Sequence, residues 1–128
     1  MAAHNEFGPG HREEFYHQAM IQRMDSPPFG LTFEHEVDLP VMDEEGRTIF
    51  VYTPDFRVEM RILVELKAQS HPLTTDDIAQ VIDYFAACPD CEVALLINFG
   101  RPRLEWKRLF PPKHIAQHRR RQWGKLPK

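Results

Sequence analysis

Three polar residues bracket one hydrophobic run. In the stretch TPDFRVEMRILVELK, from Thr53 to Lys67, Asp55 precedes the run and Glu65 and Lys67 close it. Glu65 and Lys67 are two residues apart, so on an extended strand they point to one face while Leu66 between them points into the core. If the strand holding Asp55 lies beside the strand holding Glu65, their carboxylates can converge. Two carboxylates and the intervening backbone carbonyl of Leu66 form an all-oxygen site, suited to Mg²⁺ or Mn²⁺ rather than zinc. Lys67 alongside could orient or deprotonate a water, or stabilise charge developing on a phosphoryl group. A metal that polarises a phosphodiester and a basic group near the attacking oxygen are the parts needed for metal-assisted hydrolysis. A Glu-x-Lys triplet alone is equally the exposed face of an edge strand; the upstream Pro54-Asp55 gives it weight.

The elements that must position these residues can be read from the apolar spacing. Gly8-Pro-Gly10 is a breaker, and Glu13 and Glu14 then suit the positive end of a helix whose apolar stripe is Phe15, Ala19, Met20 and Met24. Pro27-Pro28 ends it. From Leu31 to Met42, Phe33, His35, Val37 and Leu39 alternate with Glu34, Glu36 and Asp38, which predicts one half-exposed strand. Asp43 to Gly46 is a hairpin turn, Arg47 to Val58 a second strand and Arg61 to Ala68 a third, with Ile62 to Val64 buried. Thr74 or Thr75 caps a second helix, with Asp76 and Asp77 in its first turn and Ile78, Val81, Ile82 and Phe85 on its apolar face. Glu92 to Phe99 and Leu104 to Phe110 read as strands, and Ile115 to Trp123 as a short helix. There is no internal repeat. The order α-β-β-β-α-β-β predicts an α/β fold, a mixed central sheet flanked by helices.

At this point the residues resemble a known family. Pro54-Asp55 followed by Glu65-Leu66-Lys67 is similar to the PD-(D/E)xK nuclease signature. Gly10-His-Arg-Glu13-Glu-Phe-Tyr16 resembles the namesake motif of the GxxExxY family within that superfamily, and Gln80-Val-Ile-Asp-Tyr84 resembles the QxxxY helix motif of RecB-type exonucleases. The later Ala94 to Gly100, with Lys107-Arg108, is similar to the family's closing strands. The resemblance implies a restriction-endonuclease-like αβββαβ core over residues 1–110, and a Mg²⁺- or Mn²⁺-dependent deoxyribonuclease. It implies Asp55, Glu65 and the Leu66 carbonyl as metal ligands, Lys67 as the catalytic lysine, and Glu13 as a further ligand, direct or through water. Gln80 and Tyr84, i and i+4 on one helix face, would brace the site or contact the nucleic-acid backbone; Tyr16 shares a face with Glu13 and is placed with them.

Charge divides the chain unevenly. The net charge of −3 hides a body of ten basic and nineteen acidic residues before Pro111, and a tail of six basic residues with no acid. In the tail, residues 111–128, Arg119, Arg120 and Arg121 could neutralise phosphates and Trp123 could stack on a base; equally, the tail could be solvating, or dock on the acidic body of another copy to give a homo-oligomer. Cys88 and Cys91 are expected as a reduced pair, and with His114 and His118 they could form a Cys₂His₂ zinc site. The hydrophobic and charged fractions, 42% and 27%, are those of ordinary globular proteins. No apolar run approaches the roughly 20 residues of a membrane helix, and no secretory signal is visible, so the expectation is a cytoplasmic protein acting on DNA. A catalytically inactive nuclease-fold module for nucleic-acid binding or self-assembly is the alternative.

Overall fold

The computed structural model describes residues 6–116. Helix α1 (Glu13–Asp25) has Glu13 and Glu14 in its first turn and ends before Pro27-Pro28. Its inward stripe is Tyr16, Ala19, Met20 and Met24, with His17 also buried. Phe15, expected on that stripe, is 37% exposed instead, because Tyr16 takes the inward position.

The segment from residue 31 to 42 is not one strand. It divides into β1 (Phe33–His35) and β2 (Leu39–Met42), which join different sheets. The break falls at Glu36, whose φ of 54° is left-handed and cannot continue a strand. The segment from 47 to 58 divides likewise into β3 (Thr48–Tyr52) and β4 (Phe56–Val58) around Pro54 and Asp55. Apolar and polar residues alternate without interruption from Phe33 to Leu39, and so the pattern alone concealed the first break. β2 and β3 form a separate antiparallel ribbon.

The main sheet has the order β1-β4-β5-β6-β7, where β5 is Ile62–Lys67, β6 Val93–Asn98 and β7 Glu105–Leu109. Only β5 and β6 are parallel. A parallel pair needs a crossover, and helix α2 (Thr75–Tyr84) with the 3₁₀ turn Phe85–Ala87 supplies it. Thr74 caps α2 in a capping box with Asp77. β4 and β5 join through Glu59 and Met60, both left-handed, with the Arg61 N–H donating to the Val58 carbonyl; this is a tight two-residue hairpin of the primed type.

The sheet separates two cores. On one face Val64, Leu66, Ile97 and Phe99 pack with Phe56 against Tyr16, Met20 and Met24 of α1. On the other, Leu63, Ala94 and Leu96 pack against Val81, Tyr84 and Phe85. The period of two along β5 therefore sends Leu63, Glu65 and Lys67 toward α2, and Val64 and Leu66 toward α1.

Candidate active site

The geometry begins with strand lengths. β4 pairs with β5 only through Phe56↔Val64, Arg57↔Leu63 and Val58↔Ile62. Glu65, Leu66 and Lys67 run past the end of β4, so that edge of β5 has no strand beside it. Asp55, one residue before β4, folds across the gap. Its Oδ2 accepts the Leu66 N–H at 2.6 Å, and its own N–H donates to Glu65 Oε1 at 3.0 Å. A strand residue directs its N–H and C=O to the same edge, so the Leu66 carbonyl faces this edge too. Asp55, Glu65 and the Leu66 carbonyl are thus brought together at the end of one strand pair.

Glu65 is 6% exposed. Its other oxygen, Oε2, accepts the Tyr84 hydroxyl at 2.7 Å. Burial and then the neighbouring Asp55 charge push its pKa up to about 7, against the opposing pull of the Tyr84 hydroxyl. Burial, and next the Glu65 charge, drive the Tyr84 phenol well above its ordinary value, so it remains a donor. Lys67, at the strand end, donates from Nζ to Gln80 Oε1 at 3.2 Å. Both α2 partners follow from the i, i+4 spacing of Gln80 and Tyr84 beneath the i, i+2 spacing of Glu65 and Lys67.

On the α1 side stands a residue that the spacing argument passed over. His17 Nε2 lies 3.3 Å from Asp55 Oδ1 and 3.6 Å from Glu13 Oε1. Hydrogen bonds to Asp55 and then to Glu13 raise its pKa to about 10, so it is an imidazolium bridging two carboxylates. Glu13, His17 and Asp55 each offer a ligand atom within 4.8 Å of the others. The signal was in the sequence: His17 is four residues after Glu13 and so shares its helix face.

The residues fit a divalent cation. Glu13, Asp55, Glu65 and the Leu66 carbonyl are hard oxygen donors, and the mutual repulsion of buried carboxylates is what a cation would relieve.

The family model that matches this chain, the PD-(D/E)XK nuclease superfamily, spans residues 1–109. The chain belongs to that superfamily. Its overall fold is similar to the crystal structure of SSO0001, with a TM-score of 0.54 and 20% identity over 84% of this chain and 54% of that one. A looser likeness, TM-score 0.46 and 14% identity, is to an alkaline exonuclease (LHK-Exo) from Laribacter hongkongensis, over 88% of this chain and 64% of that one. The chain therefore spans between about half and two thirds of the length of those structures. No curated protein matches the sequence.

Other expected site residues lie elsewhere. Tyr16 is fully buried, stacks on Phe99 at 4.4 Å between ring centroids, and donates its hydroxyl to the Gly8 carbonyl. It cannot touch a substrate from there; it fixes the start of α1. Tyr84, 3% exposed, is likewise out of a substrate's reach and braces Glu65 instead. Gln80 is exposed and holds Lys67. Cys88 and Cys91 are joined to each other in a disulfide and are buried, so they are neither the expected reduced pair nor zinc ligands; a bonded sulfur has no thiolate to offer. His114 is exposed, at the start of the last described turn. His118, Arg119, Arg120, Arg121 and Trp123 lie outside the described residues. Among the described residues, no helix is long and apolar enough to cross a membrane.

Proposed function

We propose that the chain is a Mg²⁺- or Mn²⁺-dependent nuclease that hydrolyses DNA phosphodiester bonds, of the GxxExxY type within its superfamily. The observation that carries this reading is the free end of β5, where Asp55 and Glu65 meet beyond the first residue of β4 and Lys67 closes the same strand. Asp55, Glu65 and the Leu66 carbonyl would hold the cation, with Glu13 reaching it directly or through water. When bound, the cation supplies polarisation of the scissile phosphate and a water of lowered pKa. The chain's own contribution is positional. Tyr84 pins Glu65 so that its second oxygen stays at the Asp55 edge, and Gln80 holds the Lys67 ammonium at the strand terminus, where it can steady the attacking oxygen or the charge on the phosphoryl group.

The test is cleavage of single- and double-stranded DNA, with Mg²⁺ and with Mn²⁺, by wild type, Asp55→Ala and Lys67→Ala. Loss of the lysine is expected to lower the rate by on the order of 10²-fold or more, the scale of a lost proton-transfer or charge-stabilising group. Loss of Asp55 removes the bridge between both strands and is expected to abolish cleavage. If no substrate is cut while DNA is still bound, the fold serves as a nucleic-acid-binding or assembly module instead.

A further inference from the structure

The described residues contain a second group of metal-binding side chains, where α1 crosses the end of β1. His17 and His35 meet there, with Nδ1 of the first 3.0 Å from Nε2 of the second. Glu36, the next residue, brings Oε1 to 3.8 Å from the same His35 nitrogen. One ligand atom from each of the three lies within 4.8 Å of the others.

The arrangement has the dimensions of a coordination site. Two imidazole nitrogens bound to zinc at about 2.0–2.1 Å lie roughly 2.8–3.4 Å apart for angles between a right angle and tetrahedral. The His17–His35 separation falls within that range, toward its right-angle end, so neither ring has to move far. His35 is held flat against Phe56, with ring centroids 4.8 Å apart and planes 25° from parallel. His17 is buried. Glu36 is exposed and can close by side-chain rotation, while its N–H is anchored to the Asp55 carbonyl at 2.8 Å. The other nitrogen of His17, Nε2, faces the Asp55 carboxylate at 3.3 Å. A ligating histidine ordinarily places its remaining N–H on a carboxylate, which fixes the tautomer and makes the ligand more basic. Here that outer partner is already in place; in the metal-free protein the Nδ1 proton of His17 lies between the two rings, and an ion bound there replaces it, releasing the proton to solvent.

We infer that His17 Nδ1, His35 Nε2 and the Glu36 carboxylate form a site for a borderline divalent transition cation, zinc above all, stapling α1 to the end of β1. Two imidazoles and one carboxylate select zinc, cobalt or nickel over magnesium, because nitrogen donors suit borderline metals and Mg²⁺ demands oxygen. The site is separate from the all-oxygen edge of β5 and touches it through the His17–Asp55 contact. It stands whether or not Asp55 and Glu65 support hydrolysis.

The experiment is a calorimetric titration of the metal-stripped full chain with Zn²⁺ in a large excess of Mg²⁺, which occupies oxygen-only sites without competing for imidazole. Wild type is expected to bind one equivalent tightly. His35→Phe keeps the ring packed on Phe56 and removes the ligand; Glu36→Gln alters only an exposed carboxylate. Each should weaken zinc binding at least tenfold, with circular dichroism unchanged. Glu36→Gln decides the matter alone if His35→Phe does not fold. No zinc binding by wild type would overturn the inference, as would wild-type affinity in the variants. Binding that is lost in Asp55→Asn and kept in His35→Phe would put the ion among the carboxylates and overturn it too.

Discussion

Glu65 and His17 make the metal-free protein sensitive to pH in one direction. Glu65 titrates near 7 in the fold against 4.5 ordinarily, so between those values the folded chain holds a proton that the unfolded chain has released. Its contribution is therefore full below about 4.5 and lost as pH rises through 7. His17, raised to about 10 from 6.5, contributes fully below 6.5 and loses that contribution as pH rises through 10. Both windows run the same way: without metal, the melting temperature should fall from pH 5 to pH 9. A cation favours the ionised Glu65, so Mg²⁺ should raise the melting temperature more at pH 8 than at pH 6. Glu65→Gln should flatten the fall between pH 5 and 7 and, metal-free at pH 8, should melt above wild type. A variant as steep as wild type would show that another group titrates there. Tyr84→Phe tests the same carboxylate from the other side. It leaves Glu65 Oε2 without its donor, and denaturant unfolding should register a loss of about 1–3 kcal/mol, the cost of an unsatisfied buried polar group.

The elements were legible where a single periodicity governed them. Ala19, Met20 and Met24 of the α1 stripe and the cap and apolar face of α2 followed from spacing, and β5 and β6 from their unbroken apolar runs. The break at Glu36 was not legible, since a left-handed residue inside an alternating stretch leaves no trace in the alternation, whereas Pro54-Asp55 reads as an end or bend of the second strand. The break at Pro54-Asp55 is what starts β4 at Phe56 and leaves the end of β5 uncovered, so Asp55 and Glu65 were identifiable as residues while the strand edge that brings them together was not. His17 was missed because a buried histidine on an apolar stripe reads as core. The Cys88–Cys91 bond could not be told from spacing, because two thiols three apart serve metal, redox and disulfide chemistry alike. Close approach is equally silent in sequence, and Gly100 illustrates it. A Cβ there would sit 2.4 Å from both the N and O of Gln69, at the turn that follows β5, where Asn98 Oδ1 also accepts the Gln69 and Gly100 N–H groups. The obstacle is backbone, which cannot rotate aside, so Gly100→Ala should cost about 1–3 kcal/mol by chemical denaturation, the range for overpacking. An unchanged midpoint would mean that the two turns can part without loss.

For the whole molecule the question is how an acidic body handles a polyanion. Its ten basic residues are outnumbered by nineteen acids, and several are committed: Arg57 to Glu34, Arg61 to Glu92 and Arg47 to Asp43. The carboxylates of the candidate site would repel phosphate further unless a cation is bound. Lys107 and Arg108 of β7, exposed Arg12 and Arg103, and the basic residues of the tail are counterweights, and we propose that Arg119, Arg120 and Arg121 contact the DNA backbone. Backbone contacts release counterions, so each one steepens the salt dependence of binding by about 0.9 on a log–log plot for duplex DNA. Lys67→Ala, which should cut on the order of 10²-fold or more slowly while still binding, provides the background for the measurement. Replacing Arg119, Arg120 and Arg121 together by alanine in that background should weaken duplex binding at low salt and reduce the slope by up to about 2.7, three contacts at that increment. The readout is fluorescence anisotropy of a labelled duplex across a salt series. If slope and affinity are unchanged, the tail does not touch DNA. Sedimentation at low and high salt then separates the two remaining roles: self-association that fades as salt rises identifies a tail docked on the acidic body of another copy, and a salt-independent monomer identifies one that only solvates.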